Sequence, residues 1–385
     1  MQANTSIRFL SIVIILAGIW FTSSPAAAAS TITVTTTLDN LTDDGQCSLR
    51  ESIIAANTDT ATGGCPAGSG ADTIVFDPAL PDPAIFALTL TGMTEDGSTS
   101  GDLDLTGILT IQGLGAGKTI IDGNSTDRVF DVRPGATVVL SGLTVQNGNP
   151  GSDANGGGII VTGGTPRAKL TLSNSIVTAN TALMGGGIQV SGNGASALIE
   201  YTRINLNTAV ISGGGIANSG DLKLQNSTVD QNRSRTGGGI EHSGISLHLT
   251  NDTISANIAS DNGGGLYNRA DALVLNVTFS ANTASGPGTG GNIYNDDTSI
   301  AIKNSILANS DADGNCFNND GTLLSQGSNL DSGSSCGFTA NGDLSASDPM
   351  LGPLQDNGGV TFTHALLTGS PAIDRGISNG WPAID

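Results

Sequence analysis

Few residues in this chain are of types that do chemistry, so they can be weighed one by one. Asp296 and Asp297 are the adjacent acidic pair inside its repeated middle. Two close carboxylates are what glycoside hydrolysis needs, one as acid and one as base or nucleophile. They are the candidate catalytic pair, with Arg269 and Asp271 of the preceding repeat as neighbours; an ordinary polar turn is the competing reading. Asp311, Asp313 and Asn315 alternate as calcium-loop ligands do, but Gly314 comes too early for an EF-hand and no Glu stands at the twelfth place. Glu95, Asp96, Asp102 and Asp104 form a second acidic group that could hold calcium weakly. No other cofactor is expected. Four cysteines remain. Cys47 and Cys65 are close in sequence, as are Cys316 and Cys336, and two local disulfides are the natural expectation, although four cysteines allow three pairings.

The charge balance narrows the partners. With 34 acidic and 14 basic residues the net charge is −20, which disfavours polyanions such as nucleic acid and anionic membrane. Polysaccharide or another surface protein is compatible with it.

What must position these residues is a repeat. A glycine-rich mark recurs as GGGI at Gly156, Gly185, Gly213 and Gly237, as GGGL at Gly263 and as GGNI at Gly290. A second mark puts a hydrophobic residue three places before Asn180, Asn207, Asn232, Asn257 and Asn282, in steps of 27, 25, 25 and 25 residues. A period in the twenties predicts a solenoid. The runs between marks are short, rich in Val, Ile and Thr, and alternating, which predicts strands. The expectation is an all-β chain folded as a parallel β-helix with coils of about 25 residues.

Aligned by these marks, the coils give three apolar columns: Val177, Ile204, Val229, Ile254 and Phe279; Leu172, Ile199, Leu224, Leu249 and Val274; and Ile188, Ile216, Ile240, Leu266 and Ile293. Two columns of asparagine accompany them, Asn218, Asn268 and Asn295, and Asn226, Asn251, Asn276 and Asn304. Both are expected to be hydrogen-bonded ladders rather than ligand sites. His242 falls in the first of them and reads as a substitute asparagine. His248 is expected on the outer face beside Lys223. Thr228, Thr253 and Thr278 are expected to line up on the outer face too. A flat threonine array would suit ice, but this one is a single file interrupted by Arg203, and outward Thr is ordinary strand composition.

The first 29 residues read as an export signal, with Arg8, a short apolar run and small residues near Ala28. Residues 30–100 read as an N-terminal cap with the first strands. Within them SLRESIIAANT has a capping box, Ser48 followed by Glu51, and predicts one short helix with Leu49, Ile53 and Ile54 resting on the first coil. Residues 101–310 hold the repeats and 311–385 a distinct C-terminal part.

Three family resemblances follow from quoted residues. CSLRES at Cys47–Ser52, after TVTTTLDNLTDDGQ and before IIAAN, resembles the CSLREA domain found at the N-terminus of many secreted bacterial β-helix proteins. The GGGI set and FSAN, from Gly156 to Asn304, resemble the repeats of chlamydial polymorphic outer-membrane proteins. GSNLDSGSSCGF and SDPMLGPLQDNGGVTFTHALLTGSPAIDRG resemble the choice-of-anchor Q module, expected here with its tail cut short. These resemblances imply a right-handed β-helix, a secreted or cell-surface location and a structural role for His364. The functional expectation is a non-catalytic adhesin-like or glycan-binding protein, with a β-helix carbohydrate-active enzyme as the alternative.

Overall fold

The computed structural model describes residues 29–92, 95–285, 288–310 and 314–377. The chain is a parallel β-helix. Each full coil visits four sheets in turn, as in Ser246–Thr250 (sheet 1), Thr253–Ser255 (sheet 2), Ile258–Ala259 (sheet 3) and Leu266–Asn268 (sheet 4). Sheets 1 and 2 have 11 strands each, sheet 4 has 9 and sheet 3 has 5. The sheets run from Thr31–Val34 to Leu344–Ser345, so strands continue past residue 310 into the C-terminal part. No helix among the described residues is long and apolar enough to cross a membrane.

The three apolar columns form as expected. Val229 pairs with Ile204 and Ile254, Leu224 with Ile199 and Leu249, and Ile240 with Ile216 and Leu266. All of these side chains are fully buried. Each contributes about 1.5–3 kcal/mol by leaving water. One coil supplies only a few of them, so the fold needs stacking to exist.

The repeated asparagines make a continuous polar line through the interior. Asn207 Oδ1 accepts from the backbone N of Asn180 at 3.0 Å and from its Nδ2 at 2.9 Å. The same double contact joins Asn207 to Asn232, Asn232 to Asn257, and Asn257 to Asn282. The chain then passes through Asn292 and Asn315 and ends on Asp331 Oδ1. Every member is buried. The glycine triplets answer to this column. Gly213 takes φ +65°, and a Cβ on Gly215 would stand 3.0 Å from Asn232 Nδ2 and 2.7 Å from the Gly239 carbonyl. The first glycine makes the bend; the third leaves room for the ladder.

The two expected ladders are also present. Asn276 Nδ2 donates to Asn251 Oδ1 at 2.8 Å and Asn304 Nδ2 to Asn276 Oδ1 at 3.1 Å, with all four members of that column at positive φ. Asn268 Nδ2 donates to Asn295 Oδ1 at 2.8 Å, and His242 takes its place between Asn218 and Asn268.

The helix spans Leu49–Thr58, with the Ser48–Glu51 capping box formed. It packs against Thr31–Val34, Ala71–Phe76 and Leu103–Leu105. Its anchor is Arg50, which is 1% exposed. Arg50 Nε meets Asp39 Oδ1 at 2.6 Å, and the other guanidinium nitrogens donate to the carbonyls of Ser98, Gly101 and Asp102. Both local disulfides form, Cys47 with Cys65 and Cys316 with Cys336.

The C-terminal hairpin, Leu351–Gln355 with Thr363–Leu366, folds back over sheet 2. Thr228 Oγ1 donates to the Phe362 carbonyl at 2.6 Å and Thr361 Oγ1 to the Asn226 carbonyl at 3.2 Å. The Arg203 guanidinium lies 4.1 Å from the Phe362 ring centre while gripping Asp230 with two bonds. The three threonines line up on this face as expected, Thr228 with Thr253 and Thr253 with Thr278, but the file is covered rather than open. Thr228 and Thr253 are buried, and the hairpin is bonded to the file at Thr228.

Replacing Asn232 by Leu leaves the Asn207 backbone N–H and one of its amide hydrogens without an acceptor, and takes one of two donors from the Asn257 oxygen. The expected cost is about 2–5 kcal/mol, read as a lowered chemical-denaturation midpoint. Asn251→Gly keeps the positive φ of a less buried ladder and is expected to cost under about 1.5 kcal/mol.

Candidate functional site

The outer face of sheet 4 carries one continuous file of side chains. Strand register orders it Asp104, Asp131, Ile160, Gln189, Ala217, Glu241, Tyr267, Tyr294 and Phe317. Strand alternation points these outward while the Ile188–Ile293 column points in. The file changes character along the axis, from carboxylates through a small residue to aromatics.

At the aromatic end the rings stack. Tyr267 and Tyr294 have centres 5.3 Å apart, as do Tyr294 and Phe317. Tyr267 begins this stack and borders a cleft of about 290 Å3 on the side away from Tyr294. The cleft exists because Ala217 is the smallest side chain of the file. Its floor and walls include Gln189, Ala217, Glu241 and Tyr267, with Arg235, Arg269 and Ser243 around them. Gln189 is 4% exposed and its Oε1 has no hydrogen-bond partner among the described residues. Burial raises the Glu241 carboxyl above the ordinary range, against the lowering effect of its bond with Ser243 and the charge of Arg269. A ring wall with convergent polar groups is a common composition for a small-molecule pocket.

Asp296 lies at the edge of this arrangement. Its Oδ2 accepts from the Tyr267 hydroxyl at 2.9 Å and its Oδ1 from Asn319 Nδ2 at 2.7 Å. Burial, then Asp296, push the Tyr267 phenol up to about 12. Asp297 sits exposed in the turn at φ +55°. Asp271 accepts from Thr298 Oγ1 at 3.2 Å. Asp296 therefore holds the ring that walls the cleft, and Asp297 is a turn residue.

The other sequence candidates separate. Asp311 and Asp313 lie outside the described residues. Asn315 belongs to the buried ladder, where its Oδ1 accepts from Asn292 Nδ2 and its Nδ2 donates to Asp331. His242 is fully buried, with Nδ1 2.9 Å from Asn218 Nδ2 and Nε2 3.3 Å from the Asp271 carbonyl, and burial lowers its pKa. His248 is exposed beside Lys223. His364 Nε2 stands 2.9 Å from Ser255 Oγ and Nδ1 2.7 Å from the Gly352 carbonyl. That resembles a nucleophile and its base, but Ser255 is 1% exposed under the hairpin, beyond a substrate's reach.

Glu95, Asp96, Asp102 and Asp104 do come together. They line a second cleft of about 160 Å3 with Asp127, Asp131, Arg128 and Arg133. Arg128 Nη1 lies 2.9 Å from Asp102, and Arg133 Nη1 lies 3.0 Å from both Asp96 and Asp131. Burial raises Asp102 to about 7, opposed by Arg128 and assisted by Asp104. Burial likewise raises Asp104 to about 6, opposed by the Ser98 backbone N–H. No group of three or more His, Cys, Asp or Glu among the described residues has metal-holding geometry. The sequence reading missed Asp127, Arg128, Asp131 and Arg133, of which Asp131 lies in the strand Phe130–Val132 and the others flank it.

No family model, curated protein or solved structure matches this chain.

The carboxyls of Asp102 and Asp104 bind protons more tightly when folded than when unfolded. The unfolded form therefore loses protons first as pH rises, and their contribution to stability, full below about pH 4, falls away up to about pH 7. Denaturation midpoints measured across this window are expected to decline with a slope that Asp102→Asn flattens.

Proposed function

We propose that the protein is an exported, non-catalytic polysaccharide-binding protein of the cell surface or extracellular space. The ligand-binding face is the outer face of sheet 4. The observation that carries this reading is the cleft at Ala217, walled by Tyr267 and holding one carboxylate, Glu241. A pyranose ring offers an apolar C–H face to an aromatic wall and hydroxyls to surrounding polar groups. Hydrolysis of a glycosidic bond uses two carboxyl groups flanking it, and this cleft supplies one. The resemblance of the N-terminal segment to the CSLREA domain of secreted bacterial proteins supports the location. Both disulfides are compatible with an oxidising compartment.

The protein should be retained on at least one member of a polysaccharide panel without releasing reducing ends or unsaturated products. Ala217→Phe, which fills the cleft, and Tyr267→Ala, which removes its wall, should each weaken that binding by about tenfold or more, with the denaturation midpoint of Ala217→Phe monitored alongside. Product release would favour the carbohydrate-active enzyme. Retention unchanged in both variants would move the binding face elsewhere.

A further inference from the structure

The acidic cleft lies on the same face as the Ala217 cleft. Asp131 and Glu241 are four strand steps apart in one file, or about 19 Å along the axis. A polymer lying along the file reaches both. The ligand class argued here rests on the polysaccharide reading; the site itself rests on its own geometry.

Six carboxyl groups share the acidic cleft with two guanidinium groups. Arg128 and Arg133 between them satisfy Asp96, Asp102 and Asp131. Glu95 is bound within its own loop, accepting from Gly97 N, Ser100 N and Thr99 Oγ1. Asp127 accepts from the backbone of Arg128. Asp104 differs. It is 1% exposed, its Oδ2 accepts from Ser98 N at 3.2 Å, and its Oδ1 has no hydrogen-bond partner among the described residues. The nearest cation to that oxygen is Arg133 Nη1 at 3.8 Å, beyond hydrogen-bond distance.

A buried acceptor left unpaired is costly, more so when charged. Water can fill such a place, but a donor carrying positive charge fills it better amid an excess of carboxylates. The cleft, about 160 Å3, has room for a few water-sized groups rather than a polymer segment. A primary ammonium is compact and brings three donors. The net charge of −20 draws such a ligand toward the protein.

We propose that the acidic cleft binds a primary ammonium group, and that the glycan taken by this face is an amino-sugar polymer carrying free amines.

The test titrates a glucosamine hexamer, its fully N-acetylated counterpart and the sugar-free amine 1,5-diaminopentane into the intact protein by calorimetry. The hexamer with free amines is expected to bind about tenfold or more tighter than the acetylated one. Asp104→Asn should abolish that preference and the diamine signal while the acetylated hexamer still binds. Asp96→Asn, at an exposed position with little bearing on folding, should reduce the preference partially. Ala217→Phe should weaken both hexamers alike. Equal affinity for the two hexamers, or a preference that survives Asp104→Asn, overturns the ammonium site while leaving glycan binding intact. A diamine signal lost in Asp104→Asn, with neither hexamer bound, supports the ammonium site and overturns the glycan as its source. No signal from any of the three overturns the proposal.

Discussion

The fold depends on a line of buried amides that point one way. Asn207, Asn232, Asn257 and Asn282 each present one oxygen that two N–H groups of the preceding coil share, and Asn180 presents its oxygen to the Gly148 N–H. Each also sends its own amide hydrogen to a carbonyl further back, as Asn232 does to Ile204. Every coil is thereby placed relative to two others. Apolar columns alone tolerate a slipped register, because one buried Ile replaces another; a donor facing a missing acceptor does not. The cost shows in the backbone. The residue before each ladder asparagine takes positive φ whatever its type: Ala179, Leu206, Gln231, Ala256 and Ala281. A left-handed residue of this kind costs about 1–2 kcal/mol. The ladder holds it there.

This order explains where the proposed binding face lies. Sheet 4 follows the glycine triplet, so its outer side is approached by the bend from sheet 3 that supplies Ser212, Arg235 and Thr236 to the cleft. Since the coils are in register, a side chain on the outer file has the same neighbours above and below at every step. A single small residue, Ala217, then becomes a hollow and a run of rings becomes a wall. The face is written one coil at a time over a core that hardly changes.

Much of this was legible in the sequence, for a physical reason. The apolar columns, the Asn226 and Asn218 ladders, the capping box and the disulfide pairs depend on local period and short separations. His242 as a substitute asparagine was legible through the same alignment. The buried Asn180–Asn315 ladder was seen only as a mark of period, because nothing in one coil says which asparagine points inward. Arg50 was read as part of a helix and not as its anchor, since its partners Asp39 and Gly101 come from loops with no repeat to align. The acidic cleft was half legible. Its first four acids are neighbours in sequence, but Asp127 to Arg133 arrive from the next coil, where the glycine and asparagine marks have not begun. The hairpin over sheet 2 joins Thr228 to Phe362 across 134 residues, a separation no period encodes.

The end of the amide line has a meaning of its own. Asp331 receives Asn315 Nδ2 and Gly333 N on one oxygen and Cys336 N on the other. An ionised carboxyl accepts and has nothing to donate. An asparagine there would set its amide nitrogen against an N–H donor whichever way it turned; an aspartate accepts on both sides. In the language of polymers, the ladder is built from a repeating bifunctional unit and capped by a monofunctional one. The disulfide of Cys336 crimps the chain at the same place. The amide line thus stops at one acceptor, and the short strand Leu344–Ser345 stacks beyond it by backbone pairing.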